Sequence, residues 1–223
     1  MQKQPDKPTV QGTIEDALKK LNITTKITHA GRTDRGVHAL NQVIAFNTSN
    51  FWEIDKLQIN LNKILHPNIH IKKLVAVNDN FNPRFDAKKR SYRYILSSVF
   101  TPFNANYITF YPDKININLL KNALQTFEGT HNFEYFAKTG SDVKSYVRTI
   151  YYTNIYTHKN LTIIKITGNG FLRGQIRLIV DFLLKINENK LTVNDLTKQL
   201  EKKELINKHL APPNGLYLER IWY

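Results

Sequence analysis

The apolar positions of this chain change period several times, and each change marks an element. Thr9 precedes Val10, Ile14, Ala17, Leu18 and Leu21, which recur at helical spacing and predict a helix capped by the Thr9 hydroxyl. Residues 42–46 form a short branched run that reads as a strand, residues 53–65 return to helical spacing, and residues 69–77 are rich enough in branched side chains to predict another strand. Over residues 90–96 the alternation puts Tyr92, Tyr94 and Leu96 on one strand face and Arg93 and Ile95 on the other.

The second half follows the same kind of alternation. Leu119, Leu120, Ala123, Leu124 and Phe127 predict a helix that Gly129 ends. Residues 147–157 and 160–167 are β-branched and aromatic runs separated by His158 and Lys159, the pattern of an antiparallel hairpin. From Phe171 to Ile186 the positions Leu172, Ile176, Ile179, Val180, Leu183 and Leu184 make a helical stripe. Thr192 with Asp195 has the spacing of a capping box, and residues 216–223 read as a terminal strand. Strands mixed with helices, several of them hairpin-like, predict an α+β fold and not a doubly wound parallel sheet. A less regular stretch at 97–115, with Pro102 and Pro112, places a boundary between an N-terminal half, 1–100, and a C-terminal half, 101–223.

Composition narrows the function. The apolar content of 41% is enough to build a packed core, so disorder is not the expectation. Cysteine is absent, which excludes a disulfide framework, a thiol nucleophile and cysteine-ligated zinc. The start, Met1 to Asp6, is polar, and no apolar run approaches the roughly 18 residues of a membrane span, so no membrane association and a cytoplasmic location are expected. A formal net charge of +14 exceeds what solubility requires and points to a polyanionic partner. Many of the arginines interleave with tyrosine and glycine, which favours nucleic acid over a merely solvated lysine-rich surface.

Three groups of residues could carry chemistry. Asp34 sits in a loop between Gly31 and Gly36, flanked by Arg32 and Arg35. The two cations favour its ionisation and could hold phosphates while the carboxylate faces a sugar or base; the alternative is an ordinary arginine–aspartate turn. Arg173 and Arg177 lie four apart in the predicted helix, and Arg177, bracketed by Ile176 and Ile179, needs either a carboxylate partner elsewhere or a route to solvent. Tyr92 and Tyr94, interleaved with Arg90 and Arg93, fit stacking on bases, with core packing as the rival explanation. The histidines have no ligand spacing, so no metal is expected; His38 and His131 read as structural or RNA-facing.

Together, Ala30-Gly31-Arg32-Thr33-Asp34-Arg35-Gly36-Val37-His38-Ala39 resembles the signature of the TruA family of tRNA pseudouridine synthases. Further blocks follow in the family's order: Phe81-Asn82-Pro83-Arg84-Phe85-Asp86-Ala87, Tyr92-Arg93-Tyr94, Gly129-Thr130-His131-Asn132-Phe133 and Val147-Arg148-Thr149-Ile150. Gly170-Phe171-Leu172-Arg173-Gly174-Gln175-Ile176-Arg177 and Ala211-Pro212-Pro213-Asn214-Gly215-Leu216-Tyr217-Leu218 complete the set. The resemblance implies two ferredoxin-like halves with sheets side by side around a basic cleft, a homodimer, and no cofactor or metal. The implied reaction is conversion of uridine to pseudouridine at positions 38, 39 and 40 of the tRNA anticodon arm. By the same resemblance Asp34 is the catalytic aspartate, Arg32 helps open the strand that bears the base, and Tyr92 packs on the uracil. Arg177 would pair with the aspartate and Leu218 would form an apolar wall, while Arg35, Arg84, Arg90 and Arg173 are candidates for RNA contact.

The sequence departs from the family at two places. Arg35 stands where the family usually has alanine, and the family's first strand, ending in a Gly-aromatic-Gln motif, is missing before Gln2-Lys3-Gln4. The second departure reads either as a truncation or as a misassigned start codon, and it leaves a truncated, non-catalytic tRNA-binding protein of the same fold as the alternative. A metal-dependent nuclease or phosphotransferase would need several converging carboxylates, and only Asp34 is placed for one.

Overall fold

The helix expected behind Thr9 forms: α1 spans Val10–Lys20, and the Thr9 hydroxyl accepts the Gly12 N–H at 3.1 Å. The computed structural model describes residues 1, 7–48, 51–140 and 143–223; the polar residues 2–6 lie outside this set. After α1 come β1 (Thr28–His29), β2 (His38–Ala39), β3 (Ile44–Ala45), α2 (Ile54–Leu65), β4 (Lys89–Ser97), β5 (Thr109–Phe110) and α3 (Ile117–Gln125). Then follow β6 (Gly129–Asn132), a 3-10 turn at Glu134–Phe136, β7 (Val147–His158), β8 (Leu161–Gly168), α4 (Gln175–Asn187), α5 (Val193–Leu200) and β9 (Leu216–Trp222). The architecture is mixed α+β, as the pattern predicted.

Two compact units divide these elements. The first consists of Met1–Arg35 and Gln42–Ala87. Its core joins Ile14, Ala17 and Leu18 of α1 to Leu57, Leu61 and Leu65 of α2, with Ile23 and Ile27. These α2 positions recur at intervals of four, the spacing that puts one apolar stripe against a neighbour. β1 and β3 pair antiparallel, Thr28 opposite Ala45 and His29 opposite Ile44. The strand expected at 69–77 does not form a ladder. Instead the Asn62 side chain of α2 accepts the Ile71 N–H at 2.6 Å and donates to the Ile71 oxygen at 3.0 Å, while Gln58 donates to the oxygens of Ile71 and Lys72. Helix-borne amides satisfy the backbone groups that a neighbouring strand would have taken, and Ile69, Ile71 and Leu74 pack on the helical core.

The second unit, Gly36–Asn41 with Lys88–Tyr223, is built on a sheet ordered β2-β9-β4-β8-β7-β6, with β5 also paired to β4. The β7–β8 hairpin is in register from His158 opposite Leu161, so its turn is Lys159-Asn160, one residue later than expected, with Lys159 at φ 52°. One face of this sheet buries Tyr94, Leu96, Ile150, Ile155, Ile164 and Ile166 against the apolar stripes of α3 and α4. α3 ends at Gln125, before Gly129, and Phe127 turns fully into the core. The units part at Ala87/Lys88 and not within 97–115. β4 pairs with β8 from Arg90 to Ser97 and with β9 from Lys89 to Tyr94, which commits it to the second unit.

Candidate active site

In the first unit, the Asp34 loop leaves β1 and returns to β3. Its root is closed by the Ala30 N–H donating to the Val43 oxygen at 3.0 Å and by Gln42 Nε2 donating to the Gly31 oxygen at 2.9 Å. Asp34 is half-buried, while Arg32 and Arg35 are exposed. His29, at the foot of the loop, has a buried Nδ1 without a hydrogen-bond partner. Its pKa is lowered by burial and then by the positive charges of Arg32 and, more weakly, Arg84. Both guanidiniums therefore act on the base of the loop. Arg84 also lies over the exposed ring of Phe85, 5.4 Å from its centroid, on a turn in which Asn82 Oδ1 accepts the N–H groups of Arg84 and Phe85.

The chain enters the second unit at Gly36, two residues after Asp34. There β2 pairs parallel with β9, His38 opposite Tyr217 and Ala39 opposite Leu218, and the Leu40 N–H donates to the Leu218 oxygen at 2.8 Å. His38 stacks on Tyr217 at 4.8 Å and its Nε2 bonds the Asn106 oxygen at 2.9 Å, so this histidine ties β2 to β9 and to the segment around Asn106. Leu218 in turn stands opposite Tyr92 on β4, and Tyr92 opposite Ile166 on β8. Ala39, Leu218 and Tyr92 thus form one row across three strands. The two tyrosines of β4 separate: Tyr94 is fully buried, donates to the Pro212 oxygen at 2.8 Å and has its pKa raised by burial, whereas Tyr92 is half-buried and meets Phe171 edge-on at 5.3 Å. Arg90 donates to the Asn169 oxygen at 3.1 Å, beside that phenylalanine.

Arg173 and Arg177 do not share a helix. Gly174, at φ 73°, is the N-cap of α4, and Arg173 lies before it, exposed, with its oxygen accepting the Lys138 N–H at 2.8 Å. The left-handed conformation of Gly174 and the Gln175 side chain, which accepts the Leu172 N–H at 2.8 Å, stop the helix four residues short of the expected start at Phe171. Arg177 is half-buried and its Nε donates to the Ala211 oxygen, a main-chain carbonyl that neither of the two fates read from the sequence includes. Among the described residues no group of three or more His, Asp or Glu side chains is placed to hold a metal ion, and no helix is long and apolar enough to cross a membrane.

Sequence reasoning did not single out Glu219. It lies buried beside Leu218 and bonds Ser91, Arg93 and Lys165. The one available signal was an acid on a strand between Leu218 and Arg220.

The family model described as tRNA pseudouridine synthase matches residues 1–86 and 123–223, and the chain belongs to that family. Among its relatives, the tRNA pseudouridine synthase A of Campylobacter jejuni subsp. jejuni serotype O:23/36 (strain 81-176) is 44% identical over 222 residues, covering 99% of this chain and 92% of the relative. The proteins of the same name from Helicobacter hepaticus (strain ATCC 51449 / 3B1) and Helicobacter pylori (strain P12) are 41% and 39% identical, each over 92% of the relative's length.

Proposed function

We propose that this chain is a tRNA pseudouridine synthase that isomerises uridine at positions 38, 39 and 40 of the anticodon arm. The observation that carries the reading is 44% identity over nearly the whole chain to a tRNA pseudouridine synthase A, beside the Ala30–Ala39 string that carries Asp34 in this sequence. In the reaction the C1′–N1 bond of the nucleotide breaks and a C1′–C5 bond forms. The proton on C5 leaves and N1 gains one, so no redox partner or added group is needed.

In this reading Asp34 is the nucleophile or base at the ribose, and Arg177 is the cation that keeps it ionised. Arg32 helps extrude the target base, at a cost of a few kcal/mol, about the scale typical of base flipping. Tyr92 packs on the uracil and Leu218 walls the pocket while the detached base turns. Their pairing across β4 and β9 supports this assignment, as does the short chain distance between Asp34 and Ala39, the partner of Leu218. Arg35, Arg84, Arg90 and Arg173 are assigned to the RNA backbone, in keeping with the net charge of +14. Ferredoxin-like topology in each half, a homodimer and a cytoplasmic location belong to the same proposal.

Transcripts of tRNA carrying tritium at uracil C5 test it, because the new C–C bond expels that hydrogen. The wild-type chain should release tritium from the anticodon arm, and Asp34→Asn should bind tRNA without release. Binding without release by wild type would favour the RNA-binding alternative.

A further inference from the structure

We infer that Glu219 is a positioning residue for Tyr92 and Leu218, clamping from behind the strand pair on which both stand. The inference rests on the assignment of those two residues to the uracil pocket.

The β4–β9 ladder carries one irregularity. Ser91 pairs with Arg220 and Tyr92 with Leu218, so Glu219 is the extra residue of a β-bulge. A bulge re-aims side chains, and a slip of one residue exchanges the faces of everything beyond it. At this place the register decides whether Leu218 stands opposite Tyr92. The Glu219 side chain locks it. Oε2 accepts the Ser91 hydroxyl at 2.7 Å, and Oε1 accepts Arg93 Nη2 and Lys165 Nζ, the latter at 3.1 Å.

Ser91 and Arg93 are the residues on either side of Tyr92, so one carboxylate holds both flanks of the ring's backbone. Thr167 extends the clamp to β8 by donating to Ser91 Oγ at 3.0 Å. The main chain of the bulge is held as well: Asn41 Nδ2 donates to the Glu219 oxygen at 2.6 Å, one residue beyond the Leu40–Leu218 bond that docks the end of the Asp34 block. A partly buried ionic cluster is a poor way to gain stability alone, since apolar replacements of equal volume often do as well. At a bulge beside the pocket wall, its directional bonds specify geometry.

The test is a double-substitution cycle on the full chain, read as single-turnover tritium release and tRNA affinity. Glu219→Gln should slow release by about tenfold to a hundredfold, the scale of small misplacements in a site, with tRNA affinity within about twofold. In a Tyr92→Leu background the same substitution should cost little more, because the ring whose pose it sets is gone. Unchanged release, or losses that multiply independently in the cycle, would overturn the inference. Should Glu219→Gln fail to fold, Ser91→Ala removes one arm of the clamp without changing charge and carries the same cycle. A wild-type chain that binds tRNA and releases nothing overturns the functional reading, and the inference with it.

Discussion

Arg177 and Ala211 hold each other by two hydrogen bonds: the Arg177 main-chain oxygen accepts the Ala211 N–H at 3.1 Å, and the Arg177 Nε donates to the Ala211 oxygen. The helix that bears the guanidinium is thereby fixed to the start of the segment leading into β9 and Leu218. Lysine keeps the charge but has no donor at the ε position of the fork. Arg177→Lys should therefore lower stability by about 1–2 kcal/mol, the usual worth of a charged hydrogen bond at a half-buried site. Tritium release should fall less than in Arg177→Gln, because lysine still supplies the charge that the proposal gives to the aspartate and glutamine does not. Thermal melts and single-turnover assays separate the two effects.

Gly215 has no room for a side chain. A Cβ there would lie 2.7 Å from the Ile95 oxygen and 2.6 Å from Thr109 Oγ1, and 3.0 Å from the Tyr94 ring. The Ile95 N–H donates to the Gly215 oxygen at 2.8 Å where β9 enters the sheet, so the two backbones are tied together at the point where the Cβ would push them apart. Gly215→Ala should destabilise by about 1–3 kcal/mol, as overpacking does. A denaturant titration should show the loss, with activity falling even where the protein remains folded.

Thr192 and Asp195 form the expected capping box: Thr192 Oγ1 accepts the Asp195 N–H at 3.1 Å, and Asp195 Oδ2 accepts the Thr192 N–H at 2.9 Å. Thr192→Ala should cost about 1 kcal/mol by loss of the cap. Tritium release should be unchanged, because α5 carries none of the assigned residues, which makes this variant a control for loss of stability alone.

Burial by itself would raise the pKa of Glu219, but its bonds to Arg93, Ser91 and Lys165 outweigh burial and lower it. A lowered folded-state pKa means the contribution is fully present above the unfolded value of about 4.3 and disappears as pH falls through the lower folded value. Arg93 and Lys165 are the cations on the carboxylate. The stability gap between wild type and Glu219→Gln should be constant near neutral pH and close below about pH 4. Urea unfolding over a pH series reads it directly; a gap that widens on acidification contradicts the sign.

Legibility in the sequence followed the range of the interactions. α1 with its Thr9 cap, α2 and the α5 capping box were readable because periodicity and caps act within a few residues. The Asp34 block was readable as one contiguous string. Residues 69–77 misled because branched side chains announce an extended chain without naming its partner, which here is Asn62 and Gln58 on a helix. Arg173 was misplaced because the apolar stripe of α4 continues through Leu172 in sequence, whereas the φ of Gly174 ends the helix. The division at Ala87/Lys88 depended on which strands β4 joins, a choice its own alternation does not encode.

From its order of residues alone, this chain determined the α+β class, the candidate carboxylate and the family resemblance, because each rests on local periodicity or an unbroken motif. Only the tertiary structure decided that Ala39, Leu218 and Tyr92 fall in one row, that Arg177 grips Ala211, and that Glu219 is the bulge residue behind that row. Those relationships join segments from distant parts of the chain, and strand register depends on every pair in the ladder at once.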